Sequence, residues 1–218
     1  MINTDNPIIS LDLETGGLEP GKHSVLSIGA VVVPNPGNFE DKNITYDVTE
    51  ENSFYVQLEW PTVVVDPRAM QIHKLNIVSP PGYGGDMLSM SQDGTEGLKR
   101  FGKWISRLVL HTNQLVYALG VNVGSFDLKM LRSPWNDLNG LFWPFHYRSI
   151  DLNSLFFALA SRRNMSFSDV KKEITETAWK RSGFSTDMEH HALADAWSNV
   201  YVWEECLKQF GGDCEVAC

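Results

Sequence analysis

The stretch Ile8-Ile9-Ser10-Leu11-Asp12-Leu13-Glu14-Thr15-Gly16-Gly17 places two carboxylates at the end of an apolar run. The run predicts a buried strand over 8–14, and the glycine pair predicts a turn directly after it. Side chains alternate between the two faces of a strand, so Asp12 and Glu14 point the same way. Two acids on one face of a buried strand repel each other, and this arrangement requires a compensating partner.

Two further acids lie at related places in the predicted structure. Asp127 follows a predicted strand over 115–119 at the point where a helix begins, and Asp195 lies on the apolar stripe of the last helix. Hard divalent cations prefer carboxylate oxygens, and a pair of them can drive an in-line phosphoryl displacement. Four carboxylates balance the charge of two such ions. The sequence therefore predicts a site for two Mg²⁺ or Mn²⁺ ions.

Apolar periodicity and turn signals predict an α/β domain with a mixed sheet that begins with antiparallel strands. The predicted strands cover 8–14, 25–33, 54–58, 115–119 and 147–150. The predicted helices cover 67–74, 94–111, 125–132 and 152–161, and a final helix ends at Gly211-Gly212. A loop is predicted over 79–93, inside one domain that covers 1–210 and is followed by a C-terminal tail at 211–218.

Composition excludes several classes of protein. The chain has 218 residues, of which 43% are hydrophobic and 11% aromatic, as in a globular protein. No stretch approaches the roughly 20 apolar residues of a membrane span, and we expect no signal peptide. Three cysteines close to the C-terminus form no disulfide framework, so a cytoplasmic location is predicted.

The charge is unevenly distributed along the chain. The formal net charge of −9 excludes a general nucleic-acid coat, because phosphate binding depends on an excess of Lys and Arg. Residues 128–183 nevertheless include nine basic and five acidic residues, a net charge of +4, which leaves −13 for the rest. A basic binding face and a solvated helix surface both explain that segment, and the sequence leaves the choice open.

Three motifs in order resemble those of the DEDDh 3′–5′ exonucleases, which include the proofreading subunit of bacterial DNA polymerase, ribonuclease T and oligoribonuclease. They are D-x-E-T-G-G at 12–17, Phe126-Asp127, and H-x-A-L-x-D-A at 190–196. The resemblance covers about 8–203. It implies a ribonuclease H-like fold, a five-stranded mixed sheet flanked by helices. It also implies hydrolysis of single-stranded nucleic acid from the 3′ end to nucleoside 5′-monophosphates, with DNA slightly preferred over RNA.

The resemblance also implies roles for individual residues. Asp12, Glu14, Asp127 and Asp195 would hold the two metal ions, and His190 would be the general base. Thr15, Gly17 and Leu18 would line the pocket for the terminal nucleotide, with His73 near the cleft.

The chain departs from the family pattern at two positions. Relatives commonly have asparagine four residues before the second-motif aspartate, where this chain has Val123, and Asn122 lies five before. Ser27 stands where many relatives have glutamate or glutamine, which leaves the sugar preference open.

Helix geometry and the resemblance disagree about two adjacent histidines. Residues in a helix turn about 100° each, so a continuous helix would pair His191 with Asp195, whereas the family motif selects His190. The two agree if His190 lies just before the helix. We therefore interpret Thr186 to Glu189, which has the pattern of a capping box, as a separate turn.

Alternative functions and partners remain open from the sequence. An oligoribonuclease-like enzyme or a small-nucleotide phosphodiesterase would use the same residues. A non-catalytic ribonuclease H-like binding module would be expected to lack a carboxylate, and none is missing. Trp135, Phe142, Trp143 and Phe145 either stack on bases or cover the core. The predicted partners are 3′ ends of single-stranded nucleic acid and no membrane, with a homodimer or a replication or repair protein left open.

Overall fold

The computed structural model describes residues 6–34, 49, 51–73, 75, 91–109, 114–185 and 188–211. Its strands form one sheet in the order β4-β3-β2-β1-β5-β6. The strands are β1 (Ile8–Thr15), β2 (Val25–Val32), β3 (Ser53–Glu59), β4 (Ser91–Asp93), β5 (Val116–Gly120) and β6 (Phe145–Asp151). The helices are α1 (Pro67–His73), α2 (Gly94–Val109), α3 (Asp127–Asn136), α4 (Leu152–Arg163), α5 (Phe167–Ser182) and α6 (Ala192–Gly211). The predicted α/β class with a mixed sheet is confirmed, and the three-residue β4 adds an edge strand to the five predicted.

Strand β1 lies inside the sheet, between β2 and β5. It pairs antiparallel with β2, which pairs antiparallel with β3, so the predicted antiparallel start is confirmed. Strand β5 runs parallel to β1 but pairs with it only along Ile8 to Ser10. The second half of β1, which includes Asp12 and Glu14, therefore has an open edge on the β5 side.

The two faces of β1 contribute to different parts of the core. Leu11 and Leu13 pack into a cluster with side chains of α2 and α3. Ser10 faces the other way, and its hydroxyl donates a hydrogen bond of 2.6 Å to the carbonyl of Ala196 in α6. Because side chains alternate along a strand, Asp12 and Glu14 share the Ser10 face and point towards α6.

Helix α6 packs its apolar stripe across the sheet. Leu193, Ala196 and Val200 are buried in a second cluster shared with α4 and α5, as the sequence pattern predicts. Within the described ranges, no helix is both long and apolar enough to span a membrane.

Helix α5 has no counterpart among the predicted elements. The Ser166 hydroxyl accepts a hydrogen bond from the backbone amide of Asp169 and lies 2.6 Å from its carboxylate, which caps the helix start. Val170 and Ile174 are buried in the second core cluster. Both the cap and the apolar spacing are visible in the sequence, so this helix was predictable.

Two further predictions need correction, and others lie outside the described residues. The last three residues of the predicted loop 79–93 form β4, while 79–90 are not described. Helix α3 begins at Asp127 and continues through Pro134, so Trp135 is helical and buried with Phe145 in the core. Thr186 and the tail residues 212–218 also lie outside the described residues, and α6 ends at Gly211.

Candidate active site

Three predicted ligands come together on one face of the sheet. Asp12 and Glu14 come from β1, and Asp195 comes from the first turn of α6. One carboxylate oxygen from each of the three lies within 4.8 Å of the others. We call these three residues the acidic cluster. A strand and a helix that are 180 residues apart in sequence thus converge on one point.

Gly29 allows the start of α6 to lie directly on the sheet. Gly29 is the partner of Asp12 on β2. A Cβ atom at this position would overlap the backbone of Ala192 and Leu193, so only glycine permits so close an approach. Because Asp195 lies one turn further along α6, this contact sets its distance from Asp12.

Asp127 lies beside the acidic cluster, and a hydrogen bond at the open edge of β1 holds it there. It is the first residue of α3 and is buried. Its Oδ1 accepts a hydrogen bond of 3.2 Å from the backbone amide of Leu13. This part of β1 lies beyond the residues that pair with β5. The early end of the β1–β5 pairing therefore creates the place that Asp127 occupies.

The four carboxylates are electrostatically uncompensated within the described structure. Burial, followed by the charges of Asp195 and Asp127, raises the pKa of Glu14 to about 9. Burial is also the main reason that the pKa of Asp127 and that of Asp195 rise to about 7. Burial and the charges of Asp127, Asp195 and Glu14 hold the pKa of Asp12 well above its usual range.

Four carboxylates without a cationic side chain as ion-pair partner in the described part of the chain are suited to bind a divalent cation. None of the ion pairs among the described residues includes one of these carboxylates. Two like charges about 5 Å apart repel by roughly 3 kcal/mol at an effective dielectric constant of ~20. Clustered carboxylate oxygens are the donors that Mg²⁺ and Mn²⁺ prefer, and a bound cation would reverse the repulsion.

We expect the ion-free protein to lose stability as the pH rises from 6 to 9. The pKa values of Asp127 and Asp195, about 7, and of Glu14, about 9, lie above the values near 4 of an unfolded chain. The folded state therefore binds more protons than the unfolded state across this range, and its stability falls with pH. Thermal unfolding in EDTA should show a falling Tm, and Mn²⁺ should raise Tm most at the alkaline end. A Tm in EDTA that rises towards pH 9 would contradict this electrostatic account.

His190 lies in a turn that precedes α6. Helix α6 begins at Ala192, which confirms the prediction that His190 lies outside the helix. The amide of His191 donates to the carbonyl of Met188 at 3.2 Å, closing a turn that we call the His190 turn (188–191). His190 has a φ of +62° and an exposed side chain, and its backbone amide donates to the Asp195 carboxylate.

The predicted substrate-pocket residues lie at the same end of β1. Thr15 is buried, and its hydroxyl donates to the carbonyl of Gly17 at 2.9 Å. Leu18 is 79% exposed. His73 ends α1 and is buried, close enough to the Thr15 backbone and to His190 for both to influence its pKa, which burial lowers.

Asn122 has a structural environment that explains the shifted second motif. It has a φ of +59°, and its backbone amide donates to Asp151 at 3.1 Å. Its side-chain oxygen accepts a hydrogen bond of 2.8 Å from Asn153. These contacts join the end of β5 to the start of α4.

Two residues that contribute to the site were not predicted from the sequence. Gly29 interrupts an apolar strand, and a glycine there signals close backbone approach, so its role was predictable. Tyr55 of β3 stacks on His191, with ring centroids 4.4 Å apart. No local pattern indicates that contact, because it joins residues distant in sequence.

Comparison with known proteins agrees with this architecture, although no family model matches the chain. The 3′–5′ DNA exonuclease Cap18 of Escherichia coli is 27% identical over 204 residues, which cover 89% of each chain. E. coli exonuclease I in a zinc-bound complex with single-stranded DNA has a TM-score of 0.60 at 16% identity and covers 96% of this chain. Its complex with a dT13 oligonucleotide has a TM-score of 0.61 at 16% identity and covers 94%. This chain spans only about two-fifths of the length of exonuclease I, 42% and 41% in these two structures.

The chain therefore has the fold of E. coli exonuclease I, and its acidic cluster is a candidate site for a divalent metal ion. Over most of its length the chain is similar in sequence to a protein named as a 3′–5′ DNA exonuclease.

Proposed function

We propose that the chain uses divalent metal ions to hydrolyse single-stranded DNA from its 3′ end, releasing nucleoside 5′-monophosphates. The observation that carries this proposal is the acidic cluster, three carboxylate oxygens within 4.8 Å of one another beside Asp127 and the exposed His190. DNA is preferred as the substrate because the 27% identical relative is named a DNA exonuclease.

The arrangement of the carboxylates supports an assignment of the metal ligands. Asp12, Glu14 and Asp195 would hold one Mg²⁺ or Mn²⁺, and Asp127, whose charge acts on Asp12, would help to hold a second. When bound, such ions stabilise the charge that develops on the phosphoryl oxygens and make a bound water more acidic. The requirement for ions explains why a folded protein keeps four uncompensated acids together.

In this proposal His190, which is exposed beside Asp195, accepts a proton from the attacking water. A ring nitrogen of its neutral imidazole takes this proton while the water oxygen forms a bond to the terminal phosphorus. The bond from phosphorus to the 3′ oxygen of the preceding nucleotide breaks, and that oxygen takes a proton from solvent. The products are a nucleoside 5′-monophosphate and a strand shortened by one nucleotide with a free 3′ hydroxyl.

The terminal nucleotide would lie beside the end of β1. Thr15, Gly17 and His73 would surround it, and the exposed side chain of Leu18 offers an apolar surface to the base. The net charge of −9 does not favour a long basic groove. Affinity would therefore come mainly from the strand's 3′ end and from the bound metal ions.

We expect a 5′-labelled single-stranded DNA to shorten stepwise from its 3′ end in Mg²⁺ or Mn²⁺. The two-metal arrangement predicts that EDTA stops the reaction, and a free 3′ end is required, so a circular strand of the same composition should stay intact. Gel electrophoresis of the labelled strand and chromatography of released mononucleotides provide the measurement. Cleavage in EDTA, or of the circle, would rule out the proposed reaction.

A second candidate function is hydrolysis of very short oligonucleotides or small nucleotides, which the overall acidity of the chain favours. Rates on DNA and RNA strands of 2 to about 30 nucleotides distinguish the candidates. Rates on long DNA strands that are comparable to the rates on short DNA strands support the proposed function. A steep loss of rate beyond a few nucleotides supports the second candidate, and faster cleavage of RNA would contradict the DNA preference.

A further inference from the structure

The His190 turn adopts a backbone conformation that its own sequence does not favour. His190 has a φ of +62°, in the left-handed region that favours glycine and that other residues adopt uncommonly, although histidine does so more often than most. A residue in such a conformation persists only where surrounding contacts determine it. A backbone hydrogen bond of 3.2 Å, donated by the His191 amide to the Met188 carbonyl, closes the turn.

One contact that holds this turn against the sheet involves an aromatic pair. The ring of His191 stacks on the ring of Tyr55, with centroids 4.4 Å apart and an angle of 26° between the planes. Both side chains are partly buried. His191 directly follows His190, so the stack fixes the C-terminal side of the turn.

The position of Tyr55 in the sheet connects this stack to the acidic cluster. Gly29 is the partner of Asp12 on one side and of Tyr55 on the other. Directly opposed residues on neighbouring strands point to the same face of a sheet. Asp12, Gly29 and Tyr55 therefore form a row across three strands, with the start of α6 lying over its glycine.

From this geometry we propose that Tyr55 is a positioning residue for the exonuclease reaction. Its ring, through the stack with His191, holds the His190 turn, whose backbone contacts Asp195 of the acidic cluster, so that His190 stays beside the cluster. Tyr55 touches neither the substrate nor the metal ions in this account. The inference rests on the proposed function, because it assigns to His190 a role in that reaction.

The test compares two substitutions of the same ring. Tyr55→Ala removes the stack, and we expect kcat on single-stranded DNA to fall about 10-fold, because small displacements of a catalytic group are costly. Tyr55→Phe keeps the ring and should retain wild-type kcat to within about 2-fold, so it is the matched control. The KM for DNA and the affinity for Mn²⁺, measured by calorimetry, should stay unchanged in both variants, because the acidic cluster is intact.

A double-mutant cycle separates positioning of His190 from a general loss of structure. In a His190→Asn background the imidazole is absent and the turn is preserved, so adding Tyr55→Ala should change kcat by less than about 2-fold. His191→Ala removes the other ring, and it should reproduce the 10-fold loss without adding to that of Tyr55→Ala. Because His191→Ala removes the same stacking contact, it can replace Tyr55→Ala in the test if the Tyr55→Ala variant folds poorly.

Particular outcomes would overturn the inference without affecting the proposed function. If the wild-type chain is active and Tyr55→Ala keeps full kcat, the stack does not position His190. If Tyr55→Ala lowers kcat equally with and without His190, or weakens Mn²⁺ binding in parallel, its role is structural. A wild-type chain that does not shorten DNA would instead refute the proposed function itself.

Discussion

Replacing Asp12 by asparagine should abolish most exonuclease activity and, at the same time, make the ion-free protein more stable. Asp12 belongs to the acidic cluster and also interacts electrostatically with Asp127, so its loss should weaken both proposed metal positions. Metal ions supply several kcal/mol of transition-state stabilisation, so the loss should be about 10³-fold in kcat/KM. The same change removes a buried carboxyl whose raised pKa makes the ion-free fold less stable at pH 8, so Tm in EDTA should rise by roughly 2–4 °C per kcal/mol of destabilisation relieved.

The opposite signs of these two effects make the Asp12→Asn experiment discriminating. Melting curves at pH 8 in EDTA and in Mn²⁺ should show that Mn²⁺ stabilises the wild type more than the variant. Asp137→Asn is a matched control, because Asp137 is an exposed carboxylate at the end of α3, outside the site. It should change neither the activity nor the response to Mn²⁺. An Asp12→Asn protein that is inactive but also less stable in EDTA would show that the carboxylates are not repelling one another.

The sequence predicts the chemistry of the site more fully than its geometry. Two acids two residues apart on a strand must share a face, and an aspartate on an apolar helical stripe must face the core. Local periodicity alone therefore brings Asp12, Glu14 and Asp195 towards the interior. These oxygens lie within 4.8 Å of one another because α6 crosses β1 and β2. This crossing is a feature of the tertiary structure that no local sequence pattern predicts.

The placement of Asp127 and His190 shows where local reasoning ends. Asp127 occupies the open edge of β1 because β5 pairs only with Ile8 to Ser10, and the extent of a parallel pairing cannot be read from either strand. The start of α6 was predicted after His190 only by reconciling helix geometry with a family motif. The positive φ of His190 depends on contacts with distant residues, so its sequence neighbours give no sign of it.

Removing the His190 imidazole should lower kcat by about 10²-fold or more, a typical contribution of a positioned general base. His190→Asn is a sharper variant than His190→Ala, because asparagine adopts a positive φ more readily than alanine does. The turn is then preserved while the proposed proton acceptor is lost. Metal binding should persist in both variants, because the acidic cluster does not include the His190 side chain.

The comparison with His191 shows whether the base has been assigned correctly. His191 is four residues before Asp195, and its carbonyl accepts the Asp195 amide at 3.0 Å, so its backbone starts the helix while its ring lies against Tyr55. A ring held against Tyr55 is not available to take a proton from water over the acidic cluster. The two variants should be compared by the fold-decrease in rate in Mg²⁺-saturated single-turnover assays. The fold-decrease for His191→Ala should be at most about a tenth of that for His190→Asn, because His191→Ala disturbs only the position of the base. The opposite result, in which His191→Ala is the more damaging change and His190→Asn keeps near-wild-type turnover, would contradict this assignment. It would show that His191, not His190, faces the site in solution and is the base.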